Sequence, residues 1–196
     1  MKFAILLLTL LLSTAARALE APEKAQYYTP TDTILILGAV PQEIPPFVDA
    51  MKDAKKRALQ GIPYWQGSID GKPVVVAITG IGKTYTAMTT TLFLGAFKPR
   101  LVLMSGTGAR IDKSLRTGDV IVATVTHEHD YGSLTRADMV YRPMNSPADG
   151  HEVENAFSPP AALLKRADQA IASYRGPEVT ANGATYTVKV RRGVVS

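Results

Sequence analysis

The chain has 196 residues, which is enough for one globular domain with a sizeable hydrophobic core. Its formal net charge of +5 is too weak to indicate a protein that binds nucleic acid. It contains no cysteine, and this excludes both a disulfide framework and catalysis by a thiolate.

Residues 1–18 have the pattern of a secretory signal peptide. Lys2 precedes the apolar run Phe3–Leu12, and Ala16-Arg17-Ala18 matches a small-x-small cleavage site. The apolar run is too short to cross a bilayer. We therefore predict cleavage after Ala18 and a periplasmic or secreted protein without membrane attachment. A buried N-terminal helix or an uncleaved anchor is the alternative.

Residues 19–32 are polar and are interpreted as a tether in front of one domain at residues 33–196. Apolar runs without polar alternation in that domain are typical of strands covered on both faces. These runs are Thr33–Gly38, Val74–Ile78, Leu101–Met104 and Val120–Val125. Gly-rich turns follow the second and third runs, and Lys83–Leu94 between them has a helical pattern. This order of elements is typical of nucleotide- and nucleoside-binding sheets, whose ligands lie at the carboxyl ends of the strands.

The other elements are predicted from periodicity and from turn residues. Asp70-Gly71 is a strong signal for a hairpin turn. The remaining predictions are a helix from Phe47 to about Leu59, a strand at Tyr64–Ile69, a long loop covering a site at Tyr131–Ala156, a helix from Pro159 to about Tyr174 and a final strand at Thr185–Val195. A cluster of cations falls on the first of these helices and is interpreted as its solvated face: Lys52, Lys55, Lys56 and Arg57.

The turn at Gly80–Thr84 partly resembles a phosphate-binding loop. Gly82-Lys83-Thr84 matches the end of that motif, but the position of its first glycine is Ala77, inside a predicted strand. No later apolar strand ends in an aspartate that could hold magnesium. A tight turn before a helix is the preferred interpretation, although the first N–H groups of that helix could still face a polar ligand.

Three histidines are candidate metal ligands. His127 and His129 would share one face of a strand because they are two residues apart, and His151 could complete a site. No spacing rule connects His151 with the pair, so a polar strand end is preferred and no metal is predicted.

Glu43 follows the first predicted strand, in the segment GAVPQEI. A carboxylate at the carboxyl end of a strand is well placed to activate a water molecule. The alternative is a solvated glutamate in the first turn of a helix.

Several segments together carry a resemblance to a known family. They are Ile36–Glu43 (ILGAVPQE), Thr79–Ala87 (TGIGKTYTA), Lys98–Arg110 (KPRLVLMSGTGAR), Leu115–Thr124 (LRTGDVIVAT), His129-Asp130 and Arg191–Ser196 (RRGVVS). In this order and at nearly this spacing they resemble the nucleoside phosphorylase/nucleosidase superfamily, most closely the methylthioadenosine/S-adenosylhomocysteine nucleosidases. The resemblance covers residues 33–196.

The resemblance implies an α/β fold, a three-layer sandwich around a mixed and partly barrel-like central sheet. It implies hydrolysis of the N-glycosidic bond of an adenine nucleoside with a 5′-thio substituent, without a cofactor and in a homodimer when the domain is complete. Glu43 would activate the attacking water and Thr107 would lie beside it. Val40, Gly106 and Gly108 would contribute to the substrate site.

Phosphorylases of this superfamily bind phosphate through arginines in the first loop and three residues before the Ser/Thr of the S-G-T-G turn. Here Gly38–Pro46 contains no Lys or Arg, and Met104 occupies the second position. An apolar side chain cannot stabilise a phosphate dianion, and Arg110 is a displaced substitute after the turn. Water is therefore the predicted nucleophile, with a purine nucleoside phosphorylase as a further alternative.

The family's Met-Glu pair for the ribose hydroxyls and its purine-protonating Asp follow the strand that Arg191–Ser196 resembles. Neither has a counterpart in this sequence. We expect an incomplete domain with little or no nucleosidase activity, because acid help and ribose orientation would both be missing. A non-catalytic nucleoside-binding remnant of the fold is the alternative function.

Overall fold

The computed structural model describes residues 28–196, which form two compact units that divide after Gly108. The predicted signal peptide and most of the predicted tether lie outside the described residues. Within residues 28–196, no helix is both long enough and apolar enough to cross a membrane.

The first unit is a mixed sheet with helices on both faces. Its strands are β1 (Thr31–Gly38), β2 (Lys52–Leu59), β3 (Ile62–Ile69), β4 (Lys72–Ile78) and β5 (Pro99–Met104). A 3-10 turn (Pro41–Glu43) and the short helix α1 (Pro45–Asp49) follow β1, and helix α2 (Lys83–Phe97) connects β4 with β5. The spatial order is β2-β3-β4-β1-β5, in which β1 is parallel to β4 and β5 while β2 and β3 are antiparallel.

Apolar side chains cover both faces of β1 and β4, as predicted, because successive residues of a strand point to opposite faces. One face packs on α2 through Leu35, Leu37, Val75, Ala77, Tyr64 and Phe93. The other packs on the 3-10 turn and α1 through Ile36, Val74, Val76 and Ile44. In contrast, β5 lies at the edge of the sheet and exposes Val102, Leu103 and Met104, so that run is not covered on both faces.

The predicted helix from Phe47 to Leu59 is wrong beyond its first residues. Helix α1 ends at Asp49, and Lys52–Leu59 is an antiparallel strand paired with β3. Gln60 and Gly61 both have positive φ (50° and 81°), the backbone of a tight two-residue hairpin turn. Pairing with β3 overrides the helical preference of this Lys- and Ala-rich segment, and the four cations therefore lie on an exposed strand.

The second unit contains smaller sheets and one helix. Its elements are β6 (Val120–His127), β7 (Gly132–Leu134), β8 (Met139–Tyr141), β9 (Met144–Asn145), β10 (Glu152–Val153), β11 (Ala156–Phe157), α3 (Ala161–Ser173), β12 (Glu178–Ala181), β13 (Ala184–Thr187) and β14 (Val190–Val195). β6 pairs in parallel with β14 and antiparallel with β11. The other six strands form three two-stranded hairpins, β7–β8, β9–β10 and β12–β13.

The structure confirms the predicted strand at Val120–Val125 and the helix before Tyr174. The predicted loop at Tyr131–Ala156 instead contains two short hairpins, and the predicted final strand is divided between β13 and β14. The α/β class with mixed sheets is confirmed, while partly barrel-like closure stays a prediction.

Candidate active site

Glu43 is the last residue of the 3-10 turn that follows β1. Its backbone N–H donates to the carbonyl of Val40 at 3.1 Å, which closes the turn. Its side chain folds back over the same turn, where Oε2 accepts the N–H of Ala39 at 2.6 Å and that of Val40 at 3.2 Å. The carboxylate thus satisfies the N–H groups that a helical turn leaves open at its start.

A second loop reaches the same carboxylate. Oε1 of Glu43 accepts the backbone N–H of Thr107 at 2.8 Å and its hydroxyl at 2.9 Å. Thr107 lies in the turn after β5, and β1 and β5 are parallel neighbours, so their carboxyl ends meet at one edge of the sheet. The N–H of Ser105 donates to the carbonyl of Leu37 at 2.9 Å and fixes this junction.

Two glycines lie close to the carboxylate. A Cβ on Gly38 would be 2.8 Å from Cγ2 of Ile44 and 3.2 Å from Cβ of Glu43, so only glycine fits between β1 and the turn without displacement. A Cβ on Gly106 would be 3.6 Å from Oε1 of Glu43, an ordinary contact. Gly108 has no such neighbour within 4 Å.

The environment of Glu43 favours its ionised form. Partial burial of the carboxyl raises its pKa, but the hydroxyl and N–H of Thr107 and the N–H groups of Ala39 and Val40 outweigh burial. The net pKa of Glu43 lies below its ordinary value, so the group is a carboxylate at neutral pH. Such a group can accept a proton from a water molecule but cannot act as a general acid there.

The structure brings most of the predicted site residues of the first unit together. Glu43 and Thr107 are in direct contact, Gly106 adjoins the carboxylate, and Val40 contributes its backbone N–H. A Cβ on Gly108 would not meet the carboxylate within 4 Å. Sequence reasoning missed the backbone N–H of Ala39, although a glutamate at the third position of a helical turn is a known signal for such capping.

The turn at Gly80–Thr84 is a tight turn, as preferred from the sequence. Gly80 and Gly82 both have positive φ (85° and 95°), and α2 begins directly afterwards at Lys83. Thr79 precedes the turn, and its buried hydroxyl donates to the carbonyl of Gly80 at 2.9 Å. The glycines therefore serve the change of direction from strand to helix.

The histidines do not form a cluster. His127 is the last residue of β6 and His129 lies beyond it, so the two do not share a strand face. His151 pairs through Nδ1 with the carboxylate of Asp149. Within the described part of the chain, no group of three or more His, Cys, Asp or Glu side chains is arranged to hold a metal ion.

Asp119, directly before β6, has a structural task in the second unit. Its carboxylate accepts the backbone N–H of Lys189 at 2.9 Å and that of Arg116 at 3.0 Å. The N–H of Lys189 is the largest influence, and with the neighbouring cations it lowers the pKa of Asp119 despite partial desolvation. A carboxylate that is ionised and accepts two backbone hydrogen bonds does not serve as a proton donor.

The surroundings of Arg110 and Met104 are consistent with water, and not phosphate, as the predicted nucleophile. Arg110 donates through Nη1 to the carbonyl of Leu115 at 2.6 Å, within the second unit. Met104, at the position of the phosphorylase arginine, is exposed at the end of β5.

Comparisons with known proteins agree with this architecture. The 5′-methylthioadenosine/S-adenosylhomocysteine nucleosidase of Colwellia psychrerythraea is 29% identical over 161 residues, which are 82% of this chain and 61% of that protein. A structure of the corresponding Neisseria meningitidis enzyme with methylthio-immucillin-A has a TM-score of 0.65 at 25% identity, covering 84% of this chain and 63% of that one. A futalosine hydrolase mutant of Helicobacter pylori has a TM-score of 0.64 at 25% identity, covering 84% and 66%.

This chain therefore spans less than two thirds of the length of these relatives. The sequence pattern of the phosphorylase superfamily matches this chain over residues 33–195, from the third residue of β1 to the end of β14. With this match over most of the sequence and a nucleoside phosphorylase-like α/β fold with mixed sheets, the chain belongs to the phosphorylase superfamily.

Proposed function

We propose that the Glu43 site hydrolyses the N-glycosidic bond of adenine nucleosides of the methylthioadenosine and S-adenosylhomocysteine type and releases adenine. One observation carries this proposal: an ionised carboxylate is held at the carboxyl ends of parallel strands by donors from two loops. Similarity to nucleosidases, one of them bound to a nucleoside analogue, supports the substrate class.

In this reaction the oxygen of water forms a bond to C1′ of the ribose while the bond from C1′ to the purine nitrogen breaks. Glu43 accepts a proton from the water as attack proceeds and later releases it to solvent. The electron pair of the broken bond leaves with the purine, which takes up a proton from solvent. Thr107 and the N–H groups of Ala39 and Val40 hold the Glu43 carboxylate in a fixed orientation before the substrate arrives.

We expect the reaction to be independent of phosphate. Gly38–Pro46 contains no cation and Met104 occupies the position where a phosphorylase has arginine, so no guanidinium is in place there to stabilise a phosphate dianion. Product analysis with and without phosphate tests this. Free ribose products in both conditions support hydrolysis, whereas ribose 1-phosphate products would establish a phosphorylase instead.

The direct test follows adenine release from methylthioadenosine by the full chain and by Glu43→Gln, in single-turnover assays at high protein concentration because the sequence predicts a low rate for this chain. Gln keeps the shape of the side chain but cannot accept the proton, so we expect release to fall by about 10²–10⁴-fold while binding of methylthio-immucillin-A changes little. Glu154→Gln is the matched control, since Glu154 is an exposed glutamate of the second unit.

The outcomes of this test separate the candidate functions. Release that depends on Glu43 supports a nucleosidase. Binding of the analogue without Glu43-dependent release indicates a nucleoside-binding module without catalysis. The absence of both analogue binding and adenine release would contradict the proposal.

A futalosine hydrolase is the second candidate, because a structure of that enzyme is as similar to this chain as the nucleosidase structures are. Both candidates use the same Glu43 chemistry and differ in the nucleoside. Parallel assays with futalosine and methylthioadenosine distinguish them by the ratio of kcat/KM.

A further inference from the structure

The Glu43 carboxylate has no acceptor direction left for a water molecule. A carboxylate offers about four lone-pair directions, two on each oxygen. Here Oε2 accepts the N–H groups of Ala39 and Val40, while Oε1 accepts the N–H and the hydroxyl of Thr107. A water that is to give its proton to Glu43 must therefore replace one of these donors.

The donors differ in how readily they can leave. The three backbone N–H groups are fixed, since the 3-10 turn is closed by the bond from Glu43 N–H to the Val40 carbonyl and the other loop is attached to β1 through Ser105. The hydroxyl of Thr107 is carried by a side chain that can change its χ1 rotamer without moving the backbone. Thr107 is also exposed, so its side chain is less confined than that of a buried residue.

We propose that the Thr107 hydroxyl is an exchangeable donor that occupies the acceptor site of the attacking water and leaves it by rotation about χ1. The inference rests on the proposed function of Glu43 as the base. Thr107 acts through Glu43 and is accordingly a positioning residue. In the resting state it keeps the carboxylate ionised and oriented, and on rotation it frees one acceptor direction of Oε1.

The first test measures the titration of the Glu43 carboxyl carbon by NMR in the full chain, with the signal assigned by Glu43→Gln. Thr107→Val and Thr107→Ala remove a donor to the charged form, so we expect both to shift the midpoint of this titration to higher pH. Thr107→Ser keeps the hydroxyl and should titrate as the wild type. Thr91→Val is the control, because its hydroxyl donates within α2 to the carbonyl of Ala87 at 2.8 Å.

The second test measures the χ1 angle of Thr107 from three-bond couplings to its methyl group. We expect averaging between the rotamer that contacts Glu43 and at least one other. A single fixed rotamer would overturn the exchange, and an unchanged Glu43 midpoint in both Thr107→Val and Thr107→Ala would overturn the hydrogen bond on which it depends.

These readouts need no turnover, so they are separable from the proposed function. A shifted midpoint and an averaged rotamer without adenine release would support the exchangeable donor and contradict the nucleosidase. In preparations that release adenine, the acid limb of the pH profile should move to higher pH in Thr107→Val and return in Thr107→Ser.

Discussion

At the scale of single residues, Glu43 combines two tasks that the sequence leaves as alternatives. It is the last residue of a 3-10 turn, and its Oε2 caps N–H groups at the start of that turn. Its Oε1 is bound by Thr107, which lies 64 residues further along the chain. The two interpretations of the sequence, a helix-start glutamate and a site carboxylate, are thus compatible. The capping bonds are what fixes the carboxylate in place.

The lowered pKa of Glu43 predicts a specific pH dependence of stability. Its folded pKa lies below the ordinary value of 4.5, so the ionised group stabilises the folded state above that pH. This stabilisation is lost as the pH falls through the folded pKa. The difference in the free energy of unfolding between wild type and Glu43→Gln should accordingly be largest near pH 7 and shrink below pH 4.5.

Denaturant unfolding between pH 7 and pH 3 measures this difference. Glu154→Gln, at an exposed position, should show no comparable change with pH. A constant difference between wild type and Glu43→Gln across the range would mean that the bonds to the carboxylate do not depend on its charge.

Gly38→Ala should displace the Glu43 turn. The new Cβ would be 2.8 Å from Cγ2 of Ile44, which is buried, so the turn must shift and we expect destabilisation of about 1–3 kcal/mol. The matched control is Gly95→Ala in α2, where a Cβ meets nothing within 4 Å and should stabilise by about 0.4–1 kcal/mol. Equal effects of the two substitutions on Tm would show that the space at Gly38 is not limiting.

At the scale of elements, β2 shows how an exposed edge strand is protected. It has a neighbour on one side only, and it carries Lys52, Lys55, Lys56 and Arg57, all exposed. Lys56 lies over the ring of Trp65 at 5.2 Å, and a bulge interrupts the pairing with β3 between Lys52 and Lys55. Charges and bulges of this kind keep edge strands from pairing with other chains.

Removing charge from this edge should therefore promote self-association. In Lys55→Thr/Arg57→Thr, two like charges on one side of the strand are replaced by β-branched residues that favour pairing. We expect concentration-dependent association in sedimentation or light scattering. Lys165→Thr/Arg166→Thr removes the same number of charges from α3, and we expect its association state to match that of the wild type. If both variants associate equally, the lower net charge, and not the exposed edge of β2, causes the association.

At the scale of the whole molecule, the described residues divide into two units, and the carboxylate site is contained in the first. Every donor to Glu43 comes from residues 39–107, before the division at Gly108. The geometry of this site is thus a property of one sheet and its two loops.

Export of the protein is a prediction about the whole chain. The small-x-small pattern at Ala16-Arg17-Ala18 after the apolar run predicts removal of residues 1–18. Mass spectrometry of the protein expressed with its native N-terminus should find Leu19 as the first residue. Ala18→Arg should block processing, whereas an intact Met1 on the unmodified chain would contradict the prediction.

The sequence by itself determined the elements that are strongly patterned. The continuous Val and Ile runs of β1 and β4 predict buried strands, and Asp70-Gly71 predicts a hairpin, because periodicity and turn chemistry are local properties. The ordered motifs also sufficed for the superfamily. Asn182-Gly183, with φ of 53° and 77°, is a comparable local signal for the β12–β13 hairpin, which was not predicted from the sequence.

Only the tertiary structure decided the rest. Lys52–Leu59 has a helix-forming composition, and it is a strand because β3 offers it a partner across the Gln60-Gly61 turn. The contact between Glu43 and Thr107 likewise depends on β1 and β5 being parallel neighbours, which no local pattern encodes. Hydrogen bonds between residues 64 positions apart form only when strand order brings two loops to the same edge of a sheet, and strand order is a property of the packed core.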